Sequence, residues 1–218
     1  MVQSSVPVDV LYPDSDGQPM ADNTLQYRWI VRLVTNLKRL LKDRIAFVAG
    51  DLLWYPVQVD VPPTPAQTPD VMVVLDRPDR ERGSYKQWEE EDVPPQVVFE
   101  ILSPSNTARE MLSKQDFYGR HGVLEMVFYE PASHDFWGLV RPAADQGFSL
   151  IAPINFPWTS PTLGIRFQMF ETGLAVFYPD GELFKDPGEF IEERDQAQQE
   201  RDRAYAKLKE LGINPDEL

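Results

Sequence analysis

Two acids and a lysine carry the chemistry this sequence can be read for: Asp70, Glu100 and Lys114. Glu100 interrupts the run VVFEIL (Val97–Leu102), whose other five residues are apolar. A run of that kind reads as a buried strand, and a lone ionised carboxylate inside one costs several kcal/mol unless something pairs with it. Asp70 follows Pro69 and immediately precedes VMVVL, so its carboxylate stands at the start of another short strand. If the two strands pair, the two carboxylates converge on one point. Hard divalent cations such as Mg²⁺ are held by one or two carboxylates together with water and substrate phosphates, and the carbonyl of Ile101 could complete the protein's share.

Lys114 is the third member. It sits in the second turn of a helix that begins soon after Glu100, with Tyr118 four residues on and on the same face. A lysine beside a metal can stabilise charge on a transferring phosphoryl group. Each residue also has a plainer reading. Asp after Pro is a common turn, Glu100 could pair with an arginine such as Arg28 or Arg32, and Lys114 could be a solvated helix lysine.

The elements that must position these groups follow from periodicity. Residues 1–21 are polar, rich in Pro and Asp, and expected as an extended N-terminal arm. Leu25, Trp29, Leu33, Leu37, Leu40 and Leu41 then recur every three or four residues, which predicts an amphipathic helix capped by Asp22 or Asn23. Its polar face carries Arg28, Arg32, Lys38, Arg39, Lys42 and Arg44. Strand-like pieces follow at Phe47–Ala49, Leu52–Tyr55, Val57–Val59 and Val71–Leu75. The polar stretch from Asp76 to Gln96 reads as a long loop anchored by Tyr85 and Trp88. Thr107 and Glu110 form a capping-box pair, predicting a helix from about Ala108 to Arg120. Val123–Tyr129, Phe136–Val140, Phe148–Ala152, Leu163–Phe170 and LAVFY read as further strands. The expected domain is therefore an α/β body over residues 22–186, a mixed sheet with one crossover helix. Residues 187–218 form a charged helical tail, in which Phe190, Arg194, Ala197, Arg201, Ala204, Leu208 and Leu211 follow a 4-3 spacing with five of the seven apolar.

Bulk properties narrow the classes. With no cysteine among 218 residues, disulfides, thiolate metal sites and cysteine nucleophiles are excluded, and the two histidines, His121 and His134, are not expected as ligands. A cytoplasmic protein is expected, with neither a leader nor a membrane span. The net charge of −14 weighs against nucleic acid, which calls for a basic footprint. The segment from Asp186 to the end holds part of that excess, yet the rest still carries 25 acids against 16 bases.

The words TPDVMVV, RGSYKQWEEEDVPPQVVFEILSPSN, KQDFYGRHGV and LGIRF followed by PDG resemble the Uma-two family. Those are restriction-endonuclease-like proteins of the PD-(D/E)xK nuclease superfamily, abundant in cyanobacteria. The resemblance covers roughly residues 22–215. It implies a restriction-endonuclease-like fold and a Mg²⁺- (or Mn²⁺-) dependent DNA endonuclease, with Asp70 and Glu100 on the metal and Lys114 as catalytic lysine. The superfamily places its lysine two residues after the acid, where this chain has Leu102, so the resemblance implies migration of that lysine to the helix. The superfamily also often supplies an acid from its first helix. Here that helix offers Asp22 and Asp43 near its ends and Gln26 within, and Asp51 is an auxiliary candidate. Double-strand cleavage needs two sites, which favours a homodimer. The competing expectation is a non-catalytic binding or assembly protein that retains the fold.

Overall fold

The computed structural model describes residues 11–15, 17 and 19–211; the remainder of the expected arm and the last seven residues of the tail lie outside them. The chain forms two compact units, one ending at Phe184 and one beginning at Lys185.

The first unit is built on a six-stranded mixed sheet. Its strands are β1 (Ala46–Gly50), β3 (Val71–Leu75), β5 (Val97–Ile101), β6 (Glu125–Glu130), β7 (Asp135–Val140) and β8 (Ser149–Ile151), lying side by side in that order. Only β5 and β6 run parallel, and helix α2 (Ala108–Arg120) is the crossover between them. Beyond this sheet, β2 (Trp54–Tyr55) pairs with β4 (Tyr85–Lys86), and β9 (Trp158–Thr159), β10 (Arg166–Phe170) and β11 (Gly173–Phe177) form a three-stranded sheet. The mixed α/β architecture is the one the sequence predicts.

Alternation along the central strands sorts the core into two layers. Val71 and Val73 of β3, with Val97, Phe99 and Ile101 of β5, face helix α1 (Thr24–Leu40), where Trp29, Ile30, Leu33 and Leu37 meet them. Met72 and Val74, with Val98 and Leu102, face the opposite way and pack on Met111, Phe117 and Tyr118 of α2. Both helices start on strong caps. The Asn23 side chain accepts from the backbone N–H groups of Leu25 and Gln26, and Thr107 and Glu110 close the expected capping box.

Three local expectations change. Val57–Val59 forms no strand, because the Tyr12 hydroxyl takes both the N–H (2.6 Å) and the C=O (2.8 Å) of Val59. Leu11 and Tyr12, in the described part of the arm, are buried with Leu53 and Tyr55. The stretch expected as a loop contains β4 and a short 3-10 turn at Gln87–Glu89. Its fixed point is the buried Glu90, clamped by Arg80 at 2.6 Å and Arg82 at 2.8 Å, while Tyr85 donates to the Val93 carbonyl.

The second unit is helix α3 (Pro187–Glu210), which buries no residue. Among the described residues no helix is long and apolar enough to cross a membrane.

Candidate active site

Sheet register brings the two acids together. β3 and β5 pair antiparallel with Val71 opposite Phe99, so the next step along each strand sets Asp70 against Glu100. Both belong to the alternation class of Met72, Val98 and Leu102, the face that α2 covers. The regular ladder stops there, and the Asp70 carboxylate takes over from a backbone partner: its Oδ2 accepts the Ile101 N–H at 2.6 Å. The Asp70 carbonyl accepts the N–H of Asp51 at 3.2 Å.

From the other side, α2 presents Lys114 and Tyr118, one turn apart, to Glu100. Lys114 Nζ lies 2.7 Å from one carboxylate oxygen, and the Tyr118 hydroxyl donates to the other. Glu100 therefore pairs with Lys114, and neither Arg28 nor Arg32 serves; Arg32 instead stacks over Trp29. The reason is the pleat, which aims Glu100 away from α1 and toward α2. Glu100 is only 3% exposed and Lys114 16%.

Gln26 is the residue whose part the sequence did not reveal. Its Nε2 donates to the Ile101 carbonyl at 2.7 Å, and its Oε1 accepts the Asp22 N–H at 2.7 Å. A carbonyl can only accept and an N–H can only donate, so the amide orientation is fixed. Asp22 in turn accepts from the hydroxyls of Ser103 and Ser105, which hold its carboxyl below the usual range. The helix start, the loop after β5 and the site are thus tied by one polar chain. Its only advance signal is a glutamine standing on the buried face of an amphipathic helix.

Asp70, Lys114 and Gln26 open on a cleft of about 510 Å³, whose walls also include Asp22, Asp51 and Glu110, whereas the buried Glu100 and Tyr118 do not line it. Asp51 holds a left-handed backbone (φ 51°) at its rim, a conformation that Asp tolerates better than most residues. The two histidines stay apart from it. His121 packs on Trp54 and Phe117, and His134 occupies a left-handed turn.

The electrostatics follow from burial with one cation for two acids. Burial, reinforced by Glu100, pushes the Asp70 carboxyl up to about 8, against the pull of Lys114, the Ile101 N–H and the Gln26 amide. Burial also raises Glu100, opposed by Lys114 and Tyr118. Desolvation works against the charge on Lys114, but Glu100 and Asp70 outweigh it and hold the ammonium protonated. Burial and the neighbouring Glu100 keep Tyr118 a neutral phenol and a donor.

The donor set suits a hard divalent cation. Among the described residues no group of three or more acids or histidines that could hold a metal ion assembles; the candidate donors are two carboxylates and a carbonyl, a sparse oxygen set of the kind that Mg²⁺ completes with water and phosphate. Each Glu100 oxygen and the Ile101 carbonyl already accept one hydrogen bond, and each keeps a lone pair. The raised Asp70 carboxyl marks the place where added positive charge would gain most.

A family model described as "Putative restriction endonuclease" (Uma2) matches residues 16–162, more than half of the chain. Among solved structures, the chain is similar to the crystal structure of a "putative nuclease belonging to DUF820" from Anabaena variabilis. The two are 17% identical with a TM-score of 0.44, over 67% of this chain and 77% of that one. No curated protein matches. The family match spans every one of the cleft residues above, and the chain belongs to the Uma2 family.

Proposed function

We propose that this chain is a Mg²⁺-dependent DNA endonuclease that hydrolyses phosphodiester bonds at the Asp70–Glu100–Lys114 cleft. The observation that carries the reading is the convergence of a buried glutamate and a half-buried aspartate from paired strands on a charged lysine, with Asp70 and Lys114 lining one cleft. Asp70, Glu100 and the Ile101 carbonyl would hold the cation, which when bound supplies Lewis-acid charge beside the scissile phosphate. Lys114, kept protonated by Glu100, presents its remaining N–H donors to the phosphate oxygens and neutralises charge that grows there during attack. Asp70, protonated near neutral pH without the cation, would give up that proton on binding it and serve as a carboxylate ligand. Tyr118 fixes the rotamer of Glu100, and Gln26 fixes the direction of the Ile101 carbonyl.

The test is nicking or linearisation of supercoiled plasmid with Mg²⁺ or Mn²⁺, and with chelator as control. Asp70→Ala and Glu100→Ala are expected to abolish cleavage, and Lys114→Met to slow it by about 100-fold, the usual scale for losing one charge-stabilising donor. Cleavage unchanged in any of the three overturns the assignment. A second reading, a non-catalytic protein on the same fold, is favoured by the pairing of both Glu100 oxygens within the protein itself. It predicts no cleavage under any metal.

A further inference from the structure

Helix α3 poses a problem of stability. It is 24 residues long and fully buries no residue, Phe190 and Leu208 being half-buried, whereas helices in water owe most of their stability to packing an apolar face. Its ion pairs, Lys185–Glu193 at the start and Arg194–Asp195, Arg201–Asp202 and Lys207–Glu210 along it, are exposed on the helix side and of the kind that contributes little.

Heptad placement supplies the missing face. With Phe190, Ala197, Ala204 and Leu211 at d, positions a are Arg194, Arg201 and Leu208, and positions e are Ile191, Gln198 and Tyr205. Every large apolar residue from Pro187 to Leu211 then falls at a, d or e. Ile191 is 52% exposed, Tyr205 41% and Leu211 65%. The opposite face, positions b, c and f, is polar throughout apart from Gly188 and Ala206. The two arginines inside the seam select the occupant. Glu193 and Glu200 stand at g, immediately before Arg194 and Arg201. In a parallel, in-register pair, the g residue of one strand flanks the a residue of the other. Each buried arginine stem would then meet a glutamate from its twin, at both layers and from both sides.

We propose that α3 is one strand of a parallel two-stranded coiled coil whose other strand is a second copy of this chain. The charge pattern that makes the seam costly for a generic apolar partner makes it self-complementary. This inference stands independently of the nuclease reading.

The absence of cysteine makes the test direct. The full chain is expected to sediment at twice its 25.0 kDa mass, and Arg194→Glu with Arg201→Glu, which sets acids against acids, is expected to return it to monomer. Arg194→Leu with Arg201→Leu is expected to tighten the dimer and rules out misfolding as the cause of the first result. Ala197→Cys, at d, should be joined to its twin by a short bismaleimide, and Gln199→Cys, at f, should not. A wild-type monomer at high concentration, a dimer that survives the double glutamate variant, or equal cross-linking at both cysteines would overturn the proposal.

Discussion

Asp70 concentrates the strain of the site in one titration. Its carboxyl, ordinarily near 3.8, stands at about 8 in the folded protein. The folded state therefore holds a proton that the unfolded chain has already released, and stability must fall as pH rises from about 4 toward 8. Asp70→Asn removes the ionisation and with it that slope. In chelator, the variant is expected to gain stability over wild type as pH rises through this window, by up to about 5 kcal/mol at pH 8. Urea unfolding at pH 5 and pH 8 measures it, and a pH-independent difference would show that Asp70 ionises freely. At this scale the sequence was informative where a residue type was out of place. A glutamate inside VVFEIL announced itself, and so did the need for a partner. Which cation answered was hidden, because only the pleat and the crossover choose Lys114 over the arginines of α1. Gln26 was silent for a related reason: a buried amide on a helix has no fixed partner until the sheet end is in place.

At the scale of elements, the two functional helices were legible because they carry their own punctuation, a cap and an apolar stripe each. The two-residue strands β4 and β9 were not, since their pairing comes from contacts distant in sequence, whereas β2 lies inside the expected Leu52–Tyr55 piece. The same holds for what anchors the far end of α2. The buried guanidinium of Arg141 donates to three carbonyls, those of Val123 (2.8 Å), Ala144 (2.6 Å) and Gly119 (2.8 Å). Gly119 lies in the last turn of α2, where helix carbonyls lack intrahelical partners. Removing the arginine strands all three. Arg141→Met is expected to cost about 3 kcal/mol, measured by urea unfolding. Because Lys114 sits two turns before that end, the loss should also reduce cleavage by weakening the helix that presents it. A stability change below about 0.5 kcal/mol would mean that water replaces the arginine without cost.

For the whole molecule, the acidic surface and the proposed chemistry pull in opposite directions. The basic run of α1 does not resolve this, because Lys38 is paired with Asp79 and Arg39 with Glu182. Under the proposed function, DNA binding would draw on the cation and on Lys114 inside the cleft more than on a broad positive face, and the proposed second copy would double that draw. The central claim is therefore the metal centre itself, separable from any choice of DNA. Calorimetric titration of the full chain with Mn²⁺ at pH 7 reads it most directly. Since Asp70 is largely protonated there, binding is expected to release a proton, visible as a heat that changes with the ionisation enthalpy of the buffer. Affinity should rise toward pH 8 and vanish in Asp70→Asn. Binding that persists in Asp70→Asn, or no binding by the wild-type chain at pH 8, would contradict the account.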